Sequence, residues 1–504
     1  MKKILIANRG EIAVRIIRAA REMGIPTVSI YSEPDRNALH VRLADEAYLI
    51  GPGPAKESYL KMDAILEISK ISGADAIHPG YGFLSENSEF AEKVEREGLI
   101  FIGPKSSTMN LMGDKLRAKS LAKRLGVPLV PGSDGPIKST EEALKISSKI
   151  GFPLLIKASA GGGGKGMRIV YHETDFEQSL STAIREAESA FGDGSVFLEK
   201  YIESPKHIEV QVLADSFGNT VHLFERECSV QRRHQKVIEE APSGFLNEEI
   251  RRKMGEAAVL LTKECGYISA GTIEFIVDPK ENFYFLEMNT RLQVEHPVTE
   301  LITGLDLVKE QIRIARGEKL GYDQEDIKIQ GHAIELRIYA EDPQNEFLPD
   351  TGILNQYHLP SGPGVRVDNG VEQGGEISIY YDPMLAKLIT YGKTREEAIM
   401  RMERAIDEYK IQGVANTLDF GNFVMKHEEF RNGGFDTHFV KKFYKPYLHH
   451  KNHGLGNFPK DIDDSHEREI AIFFALKALK KSKDSHSFKS DQEKQQEAWK
   501  RRKF

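Results

Sequence analysis

The sequence predicts a chain that combines the α/β and α+β fold classes in about three domains, and three observations lead to this. Its 504 residues match about three domains at roughly 100 to 200 residues each. As far as about residue 113, short apolar runs that suit strands alternate with segments whose apolar residues recur at helical spacing. Chains with this pattern form a parallel sheet with helices between its strands. Strands with glycine and proline turns predominate from about residue 331. We therefore expect domains at 1–113, 114–330 and 331–446, followed by a basic, partly helical tail at 447–504.

Composition and charge exclude several classes of protein. The chain is 40% hydrophobic and 29% charged, as globular proteins are, and no apolar run approaches the roughly 20 residues that span a bilayer. The net charge of -7 shows no overall excess of basic residues of the kind that nucleic-acid-binding proteins carry. Cys228 and Cys265 are the only cysteines and lack the spacing of a zinc site or a disulfide framework. We therefore expect a cytoplasmic protein with neither nucleic acid nor a membrane as a partner.

The first domain is predicted to be Rossmann-like. Its first strand, at residues 3–7, leads into Asn8-Arg-Gly-Glu11, which lacks the glycines that let a pyrophosphate approach a helix N-terminus. We therefore expect a parallel sheet that does not bind NAD. The helices and strands predicted after it lie at residues 11–23, 27–31, 57–71, 74–78, 87–97 and 99–102.

A glycine cluster at residues 161–166 lies between two strand-like segments, at 152–157 and 167–170. A dinucleotide fingerprint requires a helix after the glycines, and a Walker A loop requires Ser or Thr after its lysine, whereas here Gly166 follows Lys165. The remaining interpretation is a hairpin whose tip exposes backbone amides to phosphate oxygens and can close over a nucleotide. A flexible hairpin without a ligand is the alternative.

Two strand-like segments around a polar turn carry acidic and amide side chains. If the turn is centred just after Lys280, Glu274 lies opposite Glu287. The two-residue period of a strand then puts Asn289 on the same face as Glu287. Carboxylates that meet repel each other unless a cation lies between them, and oxygen ligands suit Mg²⁺ or Mn²⁺. We expect a metal site that nucleotide phosphates complete, and the alternative is an edge strand whose glutamates face water.

Two further charged segments carry candidate anion ligands. The first has Gln231, Arg233 or His234, and Lys236 along an extended run, which suits a small anion. A nucleic-acid patch would need interleaved aromatic residues, and a solvated charged loop is the remaining alternative. The second, at 291–297, directly follows the predicted metal ligands, so that a carboxylate in it can act as a general base on an anion held beside the metal. A salt-bridged surface loop is the alternative there.

Six segments of the chain carry recognisable motifs, and they lie at residues 8–13, 77–87, 112–115, 157–167, 231–242 and 287–300. Together they closely resemble the signatures of the biotin carboxylases, which belong to the ATP-grasp superfamily. The resemblance covers about residues 1–446, and the last two motifs separate this family from other ATP-grasp ligases. It implies a pre-ATP-grasp domain, an ATP-grasp domain with a mobile glycine flap at about 131–203, and a small C-terminal domain.

The resemblance implies the first half-reaction of a biotin-dependent carboxylase. MgATP phosphorylates bicarbonate to carboxyphosphate, which delivers CO₂ to N1′ of biotin on a separate carrier protein. Glu295 would deprotonate bicarbonate, and Arg337 would stabilise the biotin enolate. The cofactors implied are therefore ATP and Mg²⁺ or Mn²⁺, with carrier-bound biotin as a substrate.

The resemblance also assigns binding roles. The bicarbonate ligands would be Lys236, Arg291, Gln293 and the amide of Val294. The metal ligands would be Glu274, Glu287 and Asn289. The nucleotide ligands would be Lys115, Lys157, Gly163, Gly164, Met167, Glu199, Lys200, Tyr201, Ile202, His207, Gln231 and His234.

Biotin is expected on another polypeptide, because biotin-accepting domains present a Met-Lys-Met triplet that this sequence lacks. The partner that the resemblance implies is a biotin carboxyl carrier protein or a biotinylated carboxyltransferase subunit, and this chain is expected to form a homodimer. The apolar stretch at 469–479 in the tail is predicted to dock that partner. The final carboxyl acceptor stays open among acetyl-CoA, another acyl-CoA and pyruvate.

Two other functions remain open from the residues. Another ATP-grasp ligase, which joins a carboxylate to an amine, would share the flap and the metal hairpin but has no use for the 231–236 and 291–295 segments as they stand. A non-catalytic ATP-binding regulator would have no use for a base such as Glu295.

Overall fold

The computed structural model describes residues 1–133, 135–158, 167–233 and 235–452. Met1–Tyr444 form one compact unit and Lys445–Phe504 form a second, of which the helix Lys445–Asn452 is described. The glycine cluster and the apolar stretch predicted at 469–479 lie outside the described residues. All elements named below belong to the first unit.

The N-terminal domain contains the predicted parallel sheet. Its strands are β1 (Ile4–Ile6), β2 (Thr27–Ser32), β3 (Glu46–Gly51), β4 (Ala76–His78) and β5 (Ile100–Phe101). Its helices are α1 (Gly10–Glu22), α2 (Leu39–Leu43), α3 (Met62–Ser72), α4 (Ser88–Arg96) and α5 (Ser106–Gly113). The strand order is β3-β2-β1-β4-β5 and every pair is parallel, which confirms the Rossmann-like prediction. The sequence patterns did not predict β3, because Ile50 is its one buried residue.

A three-stranded antiparallel sheet follows at the predicted flap. Its strands β6 (Leu154–Ala158), β7 (Met167–Val170) and β8 (Val196–Lys200) pair in the order β7-β6-β8. The neighbouring helices are α6 (Lys115–Arg124), α7 (Thr140–Ile150) and α8 (Phe176–Phe191). The pairing of Lys157 with Met167 gives the two sides of the glycine cluster the hairpin register that the sequence predicts.

The centre of the chain contributes the long strands of a second sheet. These are β9 (Lys206–Ala214), β10 (Thr220–Arg232), β11 (Gln235–Ala241), β12 (Ser269–Val277) and β13 (Phe283–Asn289). The helices here are α9 (Glu248–Glu264), α10 (His296–Thr303) and α11 (Leu307–Ala315). Every residue of β9 is buried, and after Lys206 its polar residues His207, Glu209 and Gln211 alternate with apolar ones. They therefore share one face of the sheet.

The C-terminal region continues the same sheet. Its strands are β14 (His332–Tyr339), β15 (Glu341–Asp342), β16 (Leu348–Pro349), β17 (Gly352–Ile353), β18 (Gln356–His358), β19 (Val365–Asn369), β20 (Glu376–Ile377), β21 (Met384–Gly392) and β22 (Lys410–Gln412). Its helices are α12 (Arg395–Glu408), α13 (Leu418–Lys426), α14 (Glu428–Arg431) and a π-helix at Val440–Tyr444. The order β13-β12-β9-β10-β11-β14-β21-β19 shows that one sheet crosses the predicted boundary at 330.

One of several apolar core clusters joins α1, β1 and α11. Ile16, Leu292 and Ile312 are fully buried in it, so that the loop carrying Leu292 is anchored against the N-terminal domain. Both cysteines are buried and free. Within the described part of the chain, no helix is long and apolar enough to cross a membrane.

Candidate active site

The loop at 290–295 joins β13 to α10 and carries four of the predicted site residues. It holds Arg291, Gln293, Val294 and Glu295 within five positions. Glu295 occupies the N-cap position of α10, and the Val294 carbonyl accepts a hydrogen bond from Lys387 Nζ at 2.9 Å. Leu292 is buried in the core, and two of the residues after it, Gln293 and Glu295, contact Lys236 on β11 of the long sheet.

Lys236 on β11 is the centre of the site. Its ammonium lies 2.9 Å from Glu274, 2.7 Å from Glu295 and 3.2 Å from the Gln293 side-chain oxygen, and it also contacts Glu209. Burial by itself would lower the pKa of Lys236, but the three carboxylates raise it well above the usual value. Lys236 is therefore a permanent positive charge in the site.

Glu295 lies between two cations. Its second carboxylate oxygen accepts a hydrogen bond from Arg337 Nη2 at 2.9 Å, opposite the contact with Lys236. Burial would raise the pKa of Glu295, yet Lys236 and Arg337 hold that pKa well below the usual range. Glu295 is consequently ionised, and both of its oxygens are occupied.

Arg337 on β14 is held by two carboxylates. Its Nε lies 2.7 Å from Glu239, and its Nη1 lies 3.4 Å from the Tyr339 hydroxyl. Glu239 pairs in register with Glu335 of β14, and both are fully buried. Burial raises the pKa of Glu239 to about 7, against the lowering effect of Arg337.

The acidic hairpin has the predicted register at its functional end. Glu274 pairs with Glu287, and Thr272 pairs with Asn289. A bulge between Glu274 and Phe275 shifts the rest of the hairpin by one residue, so that the turn is centred on Lys280 itself. The two acids share a face as the sequence predicts, although the strands are less regular than the prediction assumed.

The acids of this hairpin are surrounded by donors. Glu274 Oε1 accepts hydrogen bonds from Lys236, from Asn289 at 2.8 Å and from Gln293 at 3.0 Å. Its other oxygen lies 3.2 Å from His207 Nε2. Burial would raise the pKa of Glu274, but Lys236 and His207 hold it well below the usual range. Glu287 is more open, and Lys115 Nζ lies 3.5 Å from it.

The predicted ligand set fits a hard divalent cation. Glu274, Glu287 and Asn289 offer oxygen atoms on one face at the edge of the sheet, which is the chemistry that Mg²⁺ selects. A second group, His207, Glu209 and Glu274, has ligand atoms within 4.8 Å of one another. The ammonium of Lys236 already contacts Glu209 and Glu274, so the positive charge among these three residues is the side chain of Lys236.

The flap residues form a separate cluster. Lys157 on β6 contacts one oxygen of Glu199, and Lys119 on α6 lies 2.7 Å from the other. Burial would raise the pKa of Glu199, but Lys157 and Lys119 lower it. Met167 begins β7 and is 43% exposed. Lys119 was not among the predicted residues.

The other predicted nucleotide ligands occupy varied positions. Lys200 donates to the Phe152 carbonyl at 2.8 Å, and the Tyr201 amide donates to the Pro153 carbonyl at 3.1 Å. Ile202 is half-buried. Gln231 pairs in register with Lys236 and donates to the Cys228 carbonyl at 2.8 Å. Gly163, Gly164 and His234 lie outside the described residues.

Three residues of the site were missed by the sequence patterns. Glu209 alternates with His207 on a buried strand, and that polar alternation was a usable signal. Lys119 follows Lys115 by one helical turn, which places both lysines on the same side of α6. Glu86 lies in the motif at 77–87 but was given no role, and nothing in its local sequence indicates that it accepts hydrogen bonds from Thr290 and Arg291.

Family models match the chain in three consecutive segments. Residues 1–109 match the biotin carboxylase N-terminal domain. Residues 114–322 match the ATP-binding domain of the carbamoyl-phosphate synthase L chain, and residues 335–442 match the biotin carboxylase C-terminal domain.

The chain is similar to several known proteins along most of its length. It is 54% identical to one subunit of the pyruvate carboxylase of Methanothermobacter thermautotrophicus, over 88% of this chain and 90% of that protein. It is 54% identical to the propionyl-CoA carboxylase alpha chain of Ruegeria pomeroyi, over 88% of this chain and 68% of that protein. The biotin carboxylase domain dimer of Hydrogenobacter thermophilus 2-oxoglutarate carboxylase, solved with MgADP, ADP and bicarbonate, is 52% identical with a TM-score of 0.81, over 89% of this chain and 98% of that chain.

The fold and the site define a three-domain enzyme built around an ATP-grasp domain. In its site the ammonium of Lys236 contacts the carboxylates of Glu209, Glu274 and Glu295. The chain belongs to the biotin carboxylase family, and it is an enzyme for the ATP-dependent carboxylation of biotin with bicarbonate.

Proposed function

We propose that the residues around Lys236 bind bicarbonate and activate it for phosphorylation by ATP. The observation that carries this proposal is the position of Glu295, whose oxygens lie 2.7 Å from Lys236 Nζ and 2.9 Å from Arg337 Nη2. A carboxylate that shares its pocket with several cationic donors can release one of them to an incoming anion. It then lies within reach of that anion's proton.

In this proposal Lys236 and Arg291 supply the positive charge that holds bicarbonate. The Gln293 side chain and the Val294 amide orient it, and Glu295 removes its proton so that an oxygen can attack the γ-phosphate. The low pKa of Glu295 makes it a weak base while both cations contact it. Bicarbonate strengthens the base by drawing one of these cations away from a carboxylate oxygen.

The nucleotide and the metal are assigned to the neighbouring residues. Glu274, Glu287 and Asn289 would hold Mg²⁺ or Mn²⁺, which offsets the negative charge of the phosphates when it is bound. Lys115, Lys157 and the amides of Gly163 and Gly164 contact the phosphates in this proposal. The other nucleotide contacts are assigned to Met167, Glu199, Lys200, Tyr201, Ile202, His207, Gln231 and His234.

Arg337 is assigned to the biotin step. It stabilises the enolate that carrier-bound biotin forms when its N1′ loses its proton to the phosphate released from carboxyphosphate, after which N1′ bonds to CO₂. The 3.4 Å contact between Arg337 Nη1 and the Tyr339 hydroxyl supports this role, because so long a contact is easily exchanged for the ureido oxygen of biotin.

The test is Glu295→Gln, which keeps the shape of the side chain and removes the base. Bicarbonate-dependent release of phosphate from ATP should fall about 10²-fold or more, the usual scale for a general base. Unchanged MgADP binding and an unchanged circular dichroism spectrum serve as the controls for folding. Wild-type turnover in this variant would refute the role of Glu295. Phosphate release that an amine stimulates, and biotin does not, would instead favour a carboxylate–amine ligase.

We also propose that this chain is the biotin carboxylase subunit of a cytoplasmic, multi-subunit, biotin-dependent carboxylase, and that it forms a homodimer. The dimeric state of the Hydrogenobacter thermophilus domain supports the homodimer, and the Methanothermobacter thermautotrophicus relative, named as one subunit of its carboxylase, supports the multi-subunit enzyme. The partner is a biotin carboxyl carrier protein or a biotinylated carboxyltransferase subunit. The relatives are named for propionyl-CoA, pyruvate and 2-oxoglutarate at nearly equal identity, so that resemblance does not select the final acceptor.

The segment at 447–504 is proposed to dock that partner, and the domains are proposed to divide near residues 113, 330 and 446. Deletion of 447–504 should leave the carboxylation of free biotin intact and abolish co-elution with the biotinylated partner on size exclusion. An intact complex would exclude docking by this segment. Offering the purified complex acetyl-CoA, propionyl-CoA and pyruvate identifies the acceptor.

A further inference from the structure

Glu86 of the N-terminal domain contacts the loop that carries the proposed bicarbonate ligands. This residue follows β4 in a loop that runs from residue 79 to the start of α4. Glu86 Oε1 accepts a hydrogen bond from the Thr290 amide at 3.0 Å, and Oε2 accepts one from Arg291 Nε at 2.8 Å. The two contacts lie at the beginning of the loop at 290–295, 204 and 205 positions further along the chain.

The loop that carries Glu86 is held firmly on both sides. Asn8 Nδ2 donates to the carbonyls of Pro79 and Tyr81 at 2.7 and 2.8 Å, and the ring of Phe83 stacks on Tyr59 with centroids 5.1 Å apart. Asn87 caps α4 by accepting from the Phe90 amide at 2.8 Å. Glu86 is therefore fixed between two anchored segments.

The geometry of Arg291 shows what this contact controls. Its Nη2 lies 3.2 Å from Asn289 Oδ1, and its Nη1 lies 3.3 Å from the Leu292 carbonyl. A guanidinium has five N–H donors in one plane, so three contacts on three nitrogens set the plane and leave one N–H on each Nη. Donors on two neighbouring nitrogens of a guanidinium suit the two oxygens of a carbonate-type anion. Glu86 takes Nε and so decides which edge of the guanidinium remains for the anion.

We propose that Glu86 is a positioning residue for bicarbonate, which it orients through Arg291 and the Thr290 amide. The proposal rests on the assignment of Arg291 to bicarbonate made above. Glu86 needs both carboxylate oxygens for its two contacts. Glu86→Gln has a single acceptor oxygen and must lose one contact, whereas Glu86→Ala loses both.

The experiment measures steady-state ATP cleavage with bicarbonate varied. Glu86→Ala and Glu86→Gln should raise the KM for bicarbonate about five- to tenfold, the scale of a hydrogen bond to a charged group when one partner is 40% exposed. The KM for ATP and the affinity for MgADP should stay within about twofold of wild type, which general destabilisation would not produce. Glu89→Gln is the matched control, because Glu89 is an exposed residue of α4 that pairs with Lys93 at 3.4 Å. It should leave both KM values unchanged.

Arg291→Lys separates the two levels of inference, because lysine keeps the charge without the planar fork. If Glu86 acts through Arg291, Glu86→Ala adds little to the bicarbonate KM of the Arg291→Lys variant. Multiplicative effects, or an unchanged bicarbonate KM in both single Glu86 variants, would overturn the proposal. If Arg291→Lys itself leaves the bicarbonate KM unchanged, the assignment of Arg291 fails first.

Discussion

Lys119→Met should weaken ATP binding although Lys119 was not among the predicted ligands. Glu199 is 16% exposed and is held by two lysines, Lys119 at 2.7 Å and Lys157. When Lys157 moves to the phosphates, as we propose, Lys119 is the cation that remains on Glu199. Without Lys119, the movement of Lys157 would leave a largely buried carboxylate unpaired, so that Glu199 competes with ATP for Lys157.

The size of this effect follows from the exposure of the pair. A hydrogen bond between charged groups contributes about 1.5 to 3 kcal/mol when buried, and an exposed ion pair about 0.2 to 1 kcal/mol. The Lys119 side chain is 37% exposed, which places the loss at about 1 to 1.5 kcal/mol between these limits. That corresponds to an affinity for ATP that is about five- to tenfold weaker.

Titration calorimetry with MgADP and the KM for ATP measure this change, with the KM for bicarbonate as the internal reference. Lys145→Met is the matched control, since Lys145 pairs with Glu141 at a similar distance of 2.8 Å but both side chains are more than 70% exposed. It should change ATP affinity less than twofold. An ATP affinity for Lys119→Met equal to that of the control would refute the argument that Lys119 frees Lys157.

Two further predictions concern the buried charges. Arg226 is fully buried and donates to Glu209, Gln211, Thr299 and Thr272, so Arg226→Met should reduce the free energy of unfolding by about 3 to 5 kcal/mol. Thermal unfolding followed by circular dichroism checks this, and a midpoint equal to that of the exposed control Arg252→Met would contradict it. Burial raises the pKa of Glu239 from 4.5 to about 7, so its protonated form stabilises the fold below about pH 4.5 and that contribution is lost as the pH rises through 7. Glu239→Gln should therefore flatten the decline in thermal midpoint between about pH 4.5 and pH 7, and an identical slope in both proteins would count against a protonated Glu239.

The hairpins show which structural features the local sequence pattern can predict. The two-residue period and the position of the polar turn were sufficient to place Glu274 opposite Glu287, as the register confirms. The same logic predicted the hairpin on both sides of the glycine cluster. These features depend on residues within about 20 positions of one another, where backbone geometry leaves few alternatives. The bulge after Glu274 was not predictable, because no glycine or proline marks it.

The parallel N-terminal sheet was likewise accessible from alternating apolar runs and helical segments. Its edge strand β3 escaped prediction because an edge strand with one buried residue lacks an apolar pattern. The extension of the long sheet past residue 330 was also not predicted, because strand order in a sheet depends on pairing between strands that are distant in the sequence.

The contacts that define the site join residues that are far apart in the sequence. Lys236 meets Glu295 across 59 positions, Lys119 meets Glu199 across 80, and Glu86 meets Arg291 across 205. Periodicity and motif identify residue types and the face of a strand, which is why most of these side chains were recognised as candidates. Their distances, and the low pKa of Glu295 between two cations, arise when separate strands and loops pack side by side. Chain-distant charges interact only after folding has removed the water between them, and the linear sequence holds no measure of that proximity.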